Sequence, residues 1–155
     1  MPLHPAWLKN ISRKVLWGAF EKDLSKVERM AMVEYFEGRC AYCGDELPNK
    51  WHADHLVSVD EGGFNHRSNR VPSCPHCNEK EKREREWLEF LAYKCGSDTP
   101  SLDERKKRIT DWRDRHLPLV SPVTEAQRVA WQKEVNDLAA AIDGAWNRLR
   151  NFKGG

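Results

Sequence analysis

Four cysteines fall as two Cys-x-x-Cys pairs, Cys40-Ala41-Tyr42-Cys43 and Cys74-Pro75-His76-Cys77. Each pair offers two thiolates from one tight turn. Two such turns complete the tetrahedral shell of a zinc ion and leave no position open, the signature of a structural Zn2+ site holding one ion per chain. The constraint on the fold is severe. Thirty residues separate Cys43 from Cys74, more than the roughly 15–20 of a simple zinc ribbon. That segment must leave the metal and return to it, with room for two strands and a loop. Residues 1–20 lack the apolar stretch and small-residue cleavage site of a secretion signal. Five cysteines in such a chain point to a reducing, cytoplasmic setting, where paired Cys-x-x-Cys motifs read as metal ligands rather than disulfides. Cys95 is left over and reads as a buried or half-buried thiol on a helix.

The chain has 155 residues, the length of about one domain. Hydrophobic content is 39% and mean hydropathy is −0.80, so the core is small and benefits from a metal staple. Seven tryptophans carry much of the expected burial. No apolar run is long enough to span a membrane. Formal net charge is +2. Four thiolates on one zinc subtract two, so total charge does not announce a nucleic-acid partner and the distribution must be read instead.

Residues 1–22 form a basic and aromatic N-terminal arm, with Lys9, Arg13 and Lys14 among Trp7, Trp17 and Phe20. The arm suits a phosphate backbone, or it packs its rings on the core. A core segment, 23–95, follows. A helix over 25–37 opens on a Ser25/Glu28 capping box, with Val27, Met30, Ala31 and Val33 as its apolar side and Gly38 as its stop. Strands are expected at 51–58 and 69–73, joined by a loop containing Gly62-Gly63 as a long hairpin. One helix is expected from Cys77 to about residue 94, burying Trp87, Leu88, Phe90 and Leu91. The remainder, 96–155, is a helical extension. It has one helix opening on a Ser101/Glu104 box, a proline-bracketed linker at 118–122, and a long last helix capped by Thr124 and Gln127. The last helix carries the stripe Trp131, Val135, Leu138, Ile142 and Trp146. The fold class is α+β and mostly helical, a small zinc-stapled core with helices on either side.

Between the cysteine pairs lies Ala53-Asp54-His55-Leu56, and Asn78 directly follows the last cysteine. Hydrolysis of a phosphodiester needs a water, a base to deprotonate it, and a cation facing the phosphate and the leaving oxygen. A neutral histidine suits the base near pH 7. A hard ion such as Mg2+ takes few protein oxygens and keeps waters and substrate as its other ligands. Asp54 and the Asn78 amide can be those oxygens, and Asn69 can bond back to the first strand. Adjacent strand residues point to opposite faces, so Asp54 and His55 address one phosphate only across a twisted strand or its edge.

The ordered elements Phe36-Glu37-Gly38-Arg39-Cys40-Ala41-Tyr42-Cys43-Gly44, Ala53-Asp54-His55-Leu56, Gly62-Gly63, Ser68-Asn69-Arg70-Val71 and Cys74-Pro75-His76-Cys77-Asn78 resemble an HNH endonuclease with a ββα-metal core. The resemblance covers about residues 35–90. It implies a DNA-cutting hydrolase with a catalytic Mg2+ or Mn2+ on Asp54 and Asn78, His55 as general base, and Asn69 holding His55. Many similar proteins have lysine three residues after the last asparagine. Glu81 stands there, between Lys80 and Lys82. His66, Arg67, Arg70, Lys80 and Arg83 are candidate phosphate contacts. His52 shares a strand face with Asp54 and is a further candidate near the metal. The competing readings are an inactive zinc-stapled module that binds nucleic acid, and a protein-interaction domain using the C-terminal helices. DNA is the expected partner, with a homodimer through the last helix as a second expectation, in a prokaryotic or phage setting.

Overall fold

The computed structural model describes residues 4–83, 85–118 and 123–151. The chain divides into two compact units, one of residues 23–122 and one of residues 1–22 with 123–155. The segment 96–122, grouped above with the C-terminal extension, here belongs to the same unit as the cysteine pairs.

In the second unit, α1 (Pro5–Trp17) runs antiparallel to α5 (Glu125–Asn151). Trp17 meets Trp131 edge to face at 4.9 Å, and Lys9 pairs with Asp143 at 3.0 Å. Trp131 Nε1 donates to the Arg13 carbonyl at 3.3 Å. The N-terminal arm is thus a helix whose Trp17 is buried, while Trp7 stays 53% exposed. The expected Thr124/Gln127 cap forms, each backbone N–H meeting the other's side-chain oxygen. Of the last-helix stripe, Trp131 and Val135 are buried within this unit, while Leu138 and Trp146 remain exposed.

The first unit opens with α2 (Lys26–Tyr35) on the expected Ser25/Glu28 box. Its buried face differs from the expected one. Val27 and Met30 face solvent, whereas Met32 and Phe36, four residues apart, are buried. Phe36 meets Trp112 edge to face at 5.9 Å and Tyr35 lies tilted against it at 5.1 Å, and that aromatic contact selects the face. Glu37 and Gly38, both at positive φ, end the helix, and the Gly38 N–H caps the Val33 carbonyl.

The sheet has two short antiparallel strands, β1 (His52–His55) and β2 (Arg70–Ser73), with Asp54 opposite Val71 and His55 opposite Arg70. The expected strand to residue 58 stops at His55. A second capping box, Ser58 with Glu61, turns the chain, and Gly62 closes the turn at φ 88°. Gly63 then passes so near Val57 that a Cβ there would sit 1.9 Å from the Val57 carbonyl oxygen and 2.8 Å from Asn69 Nδ2. Gly63→Ala must push this hairpin open. We expect a loss of about 3 kcal/mol or more in chemical unfolding, beyond ordinary overpacking because the clash is with backbone.

The single helix expected after Cys77 is two. Residues His76–Lys82 wind as a π-helix, with the Arg83 N–H bonding to the Asn78 carbonyl five residues back at 3.2 Å. Arg83 takes φ 50° and breaks the run. Glu86 then caps α3 (Trp87–Cys95) through the Leu88 and Glu89 N–H groups. Phe90 and Leu91 are fully buried, as the pattern implied. Helix α4 (Thr99–Arg115) is capped by Asp98 rather than by Ser101, whose N–H donates to the Asp98 carboxylate. It buries Ile109 and Trp112. Trp112 Nε1 lies 2.9 Å from both the Arg67 and Arg70 carbonyls and so anchors the end of the hairpin loop. No helix among the described residues is long and apolar enough to cross a membrane.

Candidate active site and four-cysteine metal centre

The sulfurs of Cys40, Cys43, Cys74 and Cys77 all lie within 4.8 Å of one another, with Cys43 and Cys74 at 3.9 Å. The edge of a tetrahedron with Zn–S bonds of 2.3 Å is about 3.8 Å, so the four can hold one zinc. Backbone N–H groups already point at sulfur, from Cys74 to Cys40 and from Cys77 to Cys74, each at 3.4 Å. The first knuckle is tied down by Cys40 N to the Asp45 carbonyl, Gly44 N to the Cys40 carbonyl, and Ala41 N to the Pro72 carbonyl of β2. Bonds from neighbouring thiols pull Cys40 down to about 4, and the same crowding pushes Cys77 far up. Four sulfurs this close are all thiolates only around a cation.

Asp54 and His55 leave β1 toward separate neighbours. Asp54 Oδ2 accepts the Tyr42 hydroxyl at 2.7 Å and pairs with Lys82 Nζ at 3.1 Å. Lys82 Nζ also donates to the His55 carbonyl at 3.0 Å. His55 Nε2 lies 2.9 Å from Asn65 Oδ1 and 2.7 Å from Arg70 Nη1, and Arg70 continues to Asp23 at 3.3 Å. Burial first, and then the Arg70 charge, lower His55 to about 4. The imidazole is therefore neutral at pH 7.

This shift has a signed consequence. An unfolded histidine takes its proton near 6.5, whereas folded His55 resists it until about 4. The stability this group contributes is whole above about pH 6.5 and drains away as pH falls toward 4, on the order of 3 kcal/mol at most. Histidine-resolved NMR should place its midpoint near 4. His55→Gln should flatten the pH dependence of the melting temperature over that window.

Asn69 does not touch the His55 ring. It ends the short turn Arg67–Asn69, one residue before β2. Its Oδ1 accepts from Val57 N at 2.8 Å, and its Nδ2 donates to the Val57 and Phe64 carbonyls at 2.9 and 3.0 Å. It thus closes the loop after β1, while Asn65 and Arg70 hold the ring. Asn78 Nδ2 lies 3.2 Å from His52 Nδ1, which leaves the Asn78 amide oxygen without a bond among the described residues. Asp54 Oδ1 is likewise unbonded. One carboxylate oxygen and one amide oxygen are a donor set that suits, by type, a hard divalent ion that keeps its waters.

The five candidate phosphate contacts separate. Lys80 and Arg83 are exposed, and His66 and Arg67 are half-buried. Arg70 is 8% exposed and committed to His55, Asn65 and Asp23. Glu81 turns to Lys94 on α3 at 2.7 Å, and Lys82 takes the inward place. Sequence reasoning missed Tyr42, Asn65 and Lys82 as parts of this site. Asn78 and Lys82 stand four residues apart, a spacing that shares one side of a helix, and the turn His76–Lys82 carries both.

A two-stranded sheet and a following helix, stapled by two cysteine knuckles, define a zinc-knuckle ββα module. Within it, residues 40–84 match the model of the HNH endonuclease family. The match takes in every cysteine of the cluster together with Asp54, His55, Asn69 and Asn78. Searches of curated proteins and of solved structures found no match.

Proposed function

We propose that this protein is a divalent-metal-dependent DNA endonuclease. The observation that supports it most is a buried, neutral imidazole at His55, next in sequence to the buried carboxylate of Asp54, inside the segment that matches the HNH family. Asp54 and Asn78 would hold the ion, and it would supply positive charge opposite the phosphate and the leaving oxygen. His55 accepts the proton of the attacking water. Asn65 and Arg70 fix its ring, and Asn69 fixes the backbone that follows. Lys80 and Arg83, exposed beyond Asn78, supply backbone-phosphate contacts that position DNA without reading its sequence.

The test is nicking of supercoiled plasmid by zinc-loaded protein. Cleavage is expected with added Mg2+ or Mn2+ and none without either ion. Binding of the same DNA with no cleavage under any divalent ion would instead support an inactive nucleic-acid module.

A further inference from the structure

We propose that Tyr42 and Lys82 are positioning residues that hold Asp54 Oδ2 and leave Oδ1 as the only oxygen offered to a divalent ion. The inference rests on the metal-site reading above. The Tyr42 hydroxyl donates to Oδ2 at 2.7 Å, and the Lys82 ammonium pairs with the carboxylate from the same side, its nearest oxygen again Oδ2 at 3.1 Å. Neither partner is a surface side chain that happens to reach it. Tyr42 is fully buried and packs edge to face on Phe90 at 5.1 Å, and Lys82 is 4% exposed. A buried ammonium needs charge and hydrogen-bond partners. Lys82 finds Asp54 and the His55 carbonyl, spanning the two adjacent residues of β1.

Both groups are mounted on the cysteine cluster. Tyr42 lies inside the first knuckle, with its carbonyl held by Arg105 at 2.9 Å. Lys82 ends the π-helix that begins beside Cys77. The structural zinc and the candidate catalytic acid therefore communicate through two short, rigid links. The consequence concerns which ion fits. Ca2+ commonly takes both oxygens of a carboxylate in a flexible shell, whereas Mg2+ demands near-octahedral geometry and few protein oxygens. Engaging Oδ2 selects against the bidentate mode and hence against Ca2+.

The experiment measures ion binding without turnover. Mn2+ binding to zinc-loaded full-length protein is followed by electron paramagnetic resonance, with Ca2+ and Mg2+ as competitors and Asp54→Asn as the control that abolishes the signal. Tyr42→Phe removes one hydroxyl and keeps the ring. It should raise the affinity for Ca2+ relative to Mn2+ about tenfold, the worth of one hydrogen bond to a charged group. Lys82→Gln should shift the ratio in the same direction. An unchanged ratio in Tyr42→Phe with normal zinc content overturns the clamp while leaving the metal site standing. Zinc loss in Tyr42→Phe also overturns it, because the hydroxyl would then serve folding. If Lys82→Gln alone loses zinc, Tyr42→Phe decides. Wild-type protein that binds no Mn2+ removes the metal-site reading and the clamp with it.

Discussion

Removal of the metal from the four-cysteine site is expected to unfold the unit at 23–122 as a whole. The two knuckles hold the sheet and the helix after Cys77 to one point, and the sulfurs lie within 4.8 Å of one another. Apparent zinc-binding free energies of about 10–16 kcal/mol at pH 7 match or exceed the roughly 5–15 kcal/mol by which a domain of this size is stable. The packed core is small, centred on Tyr42, Phe90, Met32, Leu91 and Ile109, and it cannot make up such a loss. Because the ligands are thiolates, acid should release the ion as well as chelators. Elemental analysis should give one zinc per chain, and Cys77→Ser should lose both the zinc and the share of the near-ultraviolet signal that comes from Trp51, Trp87 and Trp112. A zinc-free chain that melts like the loaded one would defeat this expectation.

The second large effect is expected at His55. Replacing a general base costs about 10²–10⁴-fold in rate, so His55→Ala should reduce plasmid nicking by that factor while zinc content stays at one per chain. The fold should tolerate the change. His55 holds no sulfur-bound metal, and its β1 backbone remains paired with Arg70. Arg70 keeps Asn65 and Asp23 as partners. His55→Asn tests the same point with a polar group left in place. Nicking equal to wild type in both variants would remove His55 from the chemistry. Asn65→Ala offers a graded companion. Freeing the ring without deleting it should slow cleavage less than His55→Ala does and lower the histidine's NMR midpoint further, because the Asn65 bond is a contact that raises it.

The cysteine spacing alone determined the metal centre, the two-stranded hairpin within it and the position of Asp54, His55 and Asn78 around it. This is because ligands from two tight turns must converge wherever the rest of the chain goes. Local capping chemistry was equally legible at Ser25/Glu28 and Thr124/Gln127, where a side chain and a backbone three residues away settle the matter between them. Partnerships over long sequence distance were not legible. The face that α2 buries was set by Trp112, some eighty residues on. The start of α4 went to Asp98 rather than Ser101, because one more turn of helix could form above it. The split of the helix after Cys77 was decided by π-winding and a left-handed Arg83, neither of which a periodicity can register. Over the same stretch Glu81 pairs with Lys94 and Lys82 turns inward to Asp54. Charge pairs buried in a core are chosen by which groups the packed elements bring together, and only the folded chain holds that information.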